Sequence, residues 1–323
     1  MLKLADQPIK VLHIEPTDAC NAACPQCARE TDAAFDKNNL HHLSVDQIKK
    51  LVDVDTIQNL NKLYMCGVYG DPAAGRHTLE IFKYFRSINP TITLGMNTNG
   101  GLRSVDWWQE LAEIMHQDVS HPKEYVIFSI DGLADIMYQD NPYPEEYVVF
   151  SIDGLADTNH TYRINVNWEK VMANAQAFIS AGGRAHWEML VFEHNQHQTE
   201  LAQQLAKDMG FKWFRAKVSK RFKTHPIDFL KPPALWKDPN VNEGKIECQA
   251  IKESSLYISA QGTIYPCCWL GTSANTIDKF DSIQKSWYGS TPNTICALTC
   301  TKNVLGTSFT NQWQKEVEFQ FTH

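Results

Sequence analysis

The chain has 323 residues, 43% of them hydrophobic, enough to bury one barrel-sized core and a smaller appendage. Its formal charge of -7 excludes a general attraction to phosphate backbones, so nucleic acid is not an expected partner, and the basic run Lys217 to Lys223 reads as a solvated face. The opening residues lack a sustained apolar signal core and no stretch approaches eighteen apolar residues, so no membrane span is expected and the predicted location is cytoplasmic.

In chain order, apolar runs with strand character alternate with helical patterns. Val11 to Ile14 precedes a helix over Val45 to Val52, Leu63 to Cys66 precedes Leu79 to Ile88, and Ile92 to Met96 precedes Val105 to Met115. Tyr147 to Ile152 is followed by Trp168 to Ile179, His186 to Phe192 by Leu201 to Met209, and Trp213 to Val218 closes the series. Six strands, each but the last followed by a helix, argue for parallel pairing, in an open sheet or a barrel. Ser44 is placed to cap the first helix, and Gly182-Gly183 and Gly210 to end later ones. A tandem repeat of 22 residues, identical at 15 positions, covers 111–154; each copy ends a strand in Ser-Ile-Asp-Gly. The second copy is expected to supply strand four, because Asn159, His160, Tyr162 and Arg163 follow it directly.

Nine cysteines group as 20, 24, 27 and as 248, 267, 268, 296, 300, with Cys66 apart as a buried small hydrophobe. In a reducing compartment this grouping points to metal sites, not disulfides. Cys20, Cys24 and Cys27, at C-x3-C-x2-C spacing just after the first strand, can ligate three irons of a four-iron cluster, whose usual complement is four cysteines, leaving one iron open. A zinc site would need a fourth ligand, for which His41 and His42 are the next candidates. Each later strand end carries polar residues that alone read as turns or surface charges: Gly67-Val-Tyr-Gly70-Asp71-Pro72, Asn97-Thr98-Asn99-Gly100, then Ser151, Asp153 and Arg163. Trp107, Trp108, His186, His194 and His197 are expected to pack or to face solvent.

The cysteine loop resembles that of the radical S-adenosylmethionine (SAM) enzymes, with Gln26 where an aromatic residue often precedes the last cysteine. The resemblance implies an α/β fold, a partial (β/α)6 TIM-like barrel over residues 1–221, whose open iron holds the amino and carboxylate groups of SAM. Gly70 and Asp71 then resemble the segment that binds the SAM ammonium, and Asn97 and Thr98 the segment near ribose and the methionyl part. Ser151 and Asp153 resemble ribose contacts, with Ser129 and Asp131 their equivalents in the first repeat, and Arg163 matches an arginine that pairs with the SAM carboxylate through its planar fork. Leu190-Val191-Phe192 is expected against adenine.

After a linker at 222–244, residues 245–323 resemble a small SPASM/twitch-type domain, a β-hairpin plus helix. Cys248, Cys267, Cys296 and Cys300 would hold one auxiliary 4Fe-4S cluster. Cys268 is the spare that could replace its neighbour, and a zinc ribbon is the alternative. The implied activity is that of an oxidoreductase or maturase. It would cleave SAM reductively to a 5′-deoxyadenosyl radical, abstract a substrate hydrogen and oxidise or cross-link the substrate, with flavodoxin or ferredoxin as electron donor. A peptide is the expected substrate; a small sugar-like molecule, and a non-catalytic iron-sulfur or zinc protein, are the alternatives.

Overall fold

The computed structural model describes residues 1–115, 146–219, 221–222, 225–234, 245–300 and 320–321. Six strands form the parallel sheet: β1 (Val11–Ile14), β2 (Lys62–Met65), β3 (Thr93–Thr98), β4 (Tyr147–Ser151), β5 (Ala185–Val191) and β6 (Trp213–Val218). Each pairs in parallel with the next in sequence. β4 is the strand of the second repeat copy. The first copy's Ser129 and Asp131 lie outside the described residues, as does Lys223 of the basic run.

Helices line the outer face: α1 (Val45–Leu51), α2 (Val54–Asn59), α3 (Thr78–Ile88), α4 (Val105–Met115), α5 (Trp168–Ser180) and α6 (Thr199–Met209). Ser44 opens α1 with a capping box: its hydroxyl accepts from Gln47 N, and Gln47 Oε1 accepts from Ser44 N at 2.9 Å. The single helix expected over Val45 to Val52 stops at Leu51, because Asp53 begins a new one by accepting from Thr56 N at 2.7 Å. Gly210 ends α6 with φ +88°, a conformation that costs a side-chain-bearing residue free energy. Phe82, Phe85, Trp108 and Phe178 from the helices pack against Leu12, Leu63, Leu94 and Phe150 of the strands, all fully buried. Trp108 thus belongs to the core.

The C-terminal region continues this sheet. β7 (Ser255–Ile258) pairs in parallel with β1, Val11 opposite Ser255, and turns back through Gly262 into antiparallel β8 (Ile264–Tyr265). The hairpin expected around Tyr257 therefore extends the edge of the barrel. Beyond it lie α7 (Gln249–Glu253, which precedes β7), α8 (Phe280–Ser286) and α9 (Thr294–Thr299), and β9 (Gln320–Phe321) pairs with β6. Among the described residues β8 and β9 stand at the two edges and the sheet does not close, so the barrel is partial. Among the described residues no helix is long and apolar enough to cross a membrane.

The concave face is layered. His13 stacks on Tyr64 and meets Tyr257 edge-on, and Tyr147, His186 and Trp213 continue the aromatic floor, with the stacked Tyr147 and His186 rings 4.1 Å apart. Further along, towards the C-terminal strand ends, the same face carries Glu15, Cys66 and Glu188, each two residues beyond His13, Tyr64 and His186, and Ser151, four beyond Tyr147 and opposite Glu188, with Asn97 near the end of β3. This polar rim sits where parallel barrels collect reacting groups.

Candidate active site

The cysteine loop leaves β1 and folds back over the strand ends. Cys24 is buried and Cys20 and Cys27 are half-buried. Donors aim at the sulfurs: Ala22 N lies 3.3 Å from Cys20 Sγ, Asn99 Nδ2 3.6 Å from the same atom, and Arg163 Nη1 3.6 Å from Cys24 Sγ. Burial pushes the Cys20 thiol up to about 12, helped by Asp71 and the other two thiols, and the Cys24 thiol up to about 11 despite Arg163. Among the described residues no three such side chains stand as a ready-made metal site, but Cys20 and Cys24, thiols that resist ionising yet have N–H groups trained on them, fit thiolates stabilised by bound metal, since coordination deprotonates a thiol outright and hydrogen bonds to sulfur tune a cluster. The two histidines that a zinc site would call on are engaged elsewhere: His41 Nδ1 is 2.8 Å from Asp18 Oδ2, and His42 Nδ1 is 2.9 Å from Thr17 Oγ1.

Gln26, fully buried, anchors the loop to the chain after β6. It accepts from Ser219 Oγ at 2.8 Å, donates to His225 O at 3.1 Å, and its carbonyl accepts from Arg221 Nη1 at 2.6 Å. The basic run expected as a solvated face is thus partly inward: Arg221 holds the cysteine loop, and Lys217 pairs with Glu188 on the concave face. The reason is a buried acceptor set that the linear charge pattern does not reveal.

Glu15 organises the second loop. Its Oε1 accepts from Tyr69 N at 2.7 Å and Gly70 N at 3.0 Å, and its Oε2 accepts from Tyr257 OH at 2.5 Å, so one buried carboxylate ties β1, the loop after β2 and β7 together. Gly70 is required there, because a Cβ would stand 1.9 Å from Thr17 O of the cysteine loop. Asp71, also buried, accepts from Ala73 N at 2.9 Å, Asn99 N at 2.7 Å and Thr98 Oγ1 at 2.9 Å. A carboxylate has about four lone-pair sites, so roughly one stays open for a ligand donor. Asn97 is buried with Oδ1 unpartnered. Asp153 is fully buried; its Oδ1 accepts from Leu190 N at 2.5 Å and its Oδ2 lies 2.7 Å from Arg163 Nε.

The C-terminal cysteines sort by the surroundings of their sulfurs. Cys248 lies in the field of Cys300 and Cys296, Cys267 in that of Cys268, Cys248 and Cys300, and Cys296 in that of Cys300, and Glu247 N donates to Cys300 O at 2.7 Å, pinning both ends of the set. Cys268 borders Cys267 and also lies in the field of Cys66 and Glu15 on the barrel side. The buried indole N–H of Trp287 faces Cys296 without a well-formed hydrogen bond, a donor in place for a thiolate. Burial raises the Cys248 thiol to about 11.

The family model of the radical SAM superfamily matches residues 14–205, more than half of the chain. The chain belongs to the radical SAM superfamily. It is accordingly an enzyme, and membership implies SAM and one 4Fe-4S cluster. SuiB of Streptococcus suis, solved with SAM bound, shares the fold with a TM-score of 0.53 at 14% identity, over 87% of this chain and 66% of that one. anSMEcpe with bound AdoMet does so with a TM-score of 0.52 at 15% identity, over 94% and 79%. The GTP 3′,8-cyclase of Syntrophomonas wolfei is 29% identical over 105 residues, 32% of this chain and 30% of that protein. The chain therefore spans just under two thirds of SuiB and less than a third of the cyclase.

Of the residues singled out in the sequence, Gly70, Asp71, Thr98, Asp153 and Arg163 are linked by contact or charge to the cysteine loop or to one another, while Asn97 and Ser151 lie at the ends of β3 and β4. Thr98 is taken up by Asp71, and Arg163 by Asp153 and Cys24. Sequence reasoning missed Glu15, Gln26 and the Glu188–Lys217 pair. Glu15 had a signal, a carboxylate at a strand end five residues before the first cysteine; Gln26 stood out only as a departure from the family's usual aromatic, and Lys217 only as part of a basic run.

Proposed function

We propose that this radical SAM enzyme oxidises or cross-links a peptide, using a SAM-binding cluster held by Cys20, Cys24 and Cys27 and one auxiliary 4Fe-4S cluster held by Cys248, Cys267, Cys296 and Cys300. The observation that carries the reading is the convergence of Ala22 N, Asn99 Nδ2 and Arg163 Nη1 on cysteine sulfurs at the mouth of the barrel. When bound, the reduced cluster and SAM supply one-electron cleavage of a sulfonium bond and hence a carbon-centred radical. The chain's own residues do the rest. Arg163, oriented by Asp153, offers its remaining N–H groups to the SAM carboxylate. Asp71 and the loop that Glu15 holds receive the ammonium, while Asn97 and Ser151 face the ribose and methionyl part. The aromatic floor excludes water from below.

A peptide substrate is supported by two structural neighbours solved with peptides, SuiB with the precursor peptide SuiA and anSMEcpe with a Cp18Cys peptide. The electron would come from a flavodoxin or ferredoxin. Anaerobically reconstituted, reduced protein should convert SAM to 5′-deoxyadenosine, and a candidate peptide should lose two daltons in intact-mass spectra if it is oxidised. A wild-type chain that makes no 5′-deoxyadenosine refutes the proposal.

The neighbourhoods of the two adjacent cysteines give a further expected result. Wild type should hold about eight irons, as two four-iron clusters. Cys267→Ala should fall to about four and Cys268→Ala should stay near eight. Zinc in place of the second four irons, or the reverse order of the two variants, contradicts the assignment.

A further inference from the structure

On the concave face, β5 and β6 carry a charge pair that the SAM site does not use. The register sets Glu188 opposite Arg215 and Leu190 opposite Lys217, so Lys217 reaches diagonally back to Glu188 on the same face, and the two side chains form an ion pair. Glu188 is 6% exposed, and while one carboxylate oxygen faces Lys217, Oε2 is buried with no hydrogen-bond partner. A buried oxygen left in this way is one that a ligand donor would satisfy. The field of both groups reaches the Cys66 thiol just after β2, which places the pair on the concave side of the sheet. Below it, the Tyr147 and His186 rings present an apolar wall.

A lone carboxylate selects a donor and a lone ammonium selects an acceptor. Side by side they match a neutral group that carries both on neighbouring atoms, and the two charges cancel, so neither an anion nor a cation gains net attraction. We propose that Glu188 and Lys217 are the substrate-specificity residues of this enzyme and read an amide: its N–H donates to Glu188 Oε2 and its carbonyl accepts from Lys217 Nζ. The substrate segment beside the reacting carbon is then a primary carboxamide, which presents an N–H and its carbonyl on one edge, whereas the N–H and C=O of a trans peptide bond point in opposite directions. This rests on the reading of the barrel interior as the reaction chamber.

The probes are propionamide, propionate and propylammonium, near-isosteres that differ in charge, titrated into the reconstituted, SAM-loaded enzyme and followed by saturation-transfer NMR. Wild type should bind propionamide at least about tenfold more tightly than either ion, the size expected from two charge-assisted hydrogen bonds. The double variant Glu188→Met/Lys217→Met removes both charges together, an exchange that buried pairs tolerate, and should lose that preference while SAM affinity and thermal midpoint hold. Lys217→Met alone leaves Glu188 a free carboxylate and should turn the preference towards propylammonium. Equal or unmeasurable binding of the three probes by wild type, or a preference for propionamide that survives the double variant, overturns the proposal. Formation of 5′-deoxyadenosine is assayed on the same samples. Its absence alongside an intact amide preference would refute the radical chemistry and leave the specificity assignment standing.

Discussion

Cys24→Ala, reconstituted anaerobically and reduced, is expected to form no 5′-deoxyadenosine above background and to lose the iron of the first site, about four per chain. Cys24 is the most buried of the three thiols in the loop, and it is the one that Arg163 faces at 3.6 Å. Losing a residue that only orients a metal ligand costs about 10–100-fold in affinity or activity, and losing the ligand itself should cost more. Iron retained at the wild-type level together with SAM cleavage would show that the three cysteines do not act as a set. The auxiliary site should keep its iron in this variant, because no described contact joins Cys248, Cys267, Cys296 or Cys300 to Cys24.

Asp153→Asn should have the second largest effect. Asparagine can still accept from Leu190 N through its side-chain oxygen, but it leaves the Arg163 guanidinium without its counter-charge. Breaking a buried pair by removing one partner costs roughly 3–5 kcal/mol, visible as a lower denaturant midpoint with an unchanged slope. SAM affinity should fall as well, because Arg163 is no longer held over Cys24. Arg163→Lys separates the two roles. It keeps a charge beside Asp153 and should retain much of the stability, but it loses the planar fork and should still lose SAM affinity. If Asp153→Asn denatures like wild type, Asp153 is not the support assigned to it.

Much of this was legible in the chain itself, for a physical reason. A cluster loop must deliver three sulfurs within one short segment, so its signal is local spacing, and the proposal for Cys20, Cys24 and Cys27 rests on that spacing. Parallel strands likewise announce themselves through alternation with helices, and the second repeat copy could be assigned to β4 because Arg163 follows it. What stayed hidden was long-range. Glu15 and Tyr257 meet across 242 positions and Ser219 and Gln26 across 193, and nothing in either segment names its partner. The pairing of β7 with β1 is hidden for the same reason, since an apolar strand of four residues does not specify which edge it joins. Lys217 sits in a run of basic residues and so looks solvated. Only the register of β5 and β6 turns it towards Glu188. Conversely, Asp71 and Thr98 read as turn residues on their own and as ligand contacts only through the family resemblance, and the structure shows how much of their capacity is taken up by each other.

The central claim is that Cys20, Cys24 and Cys27 leave one iron of a cluster open to SAM. Electron paramagnetic resonance of the reduced Cys267→Ala protein, in which the first cluster stands alone, tests it most directly when recorded with and without SAM carrying 17O in its carboxylate. The account predicts a four-iron signal whose g values shift on adding SAM and whose lines broaden with the labelled oxygen. A signal that SAM leaves unchanged, or a first site that holds zinc and gives no signal, would contradict it.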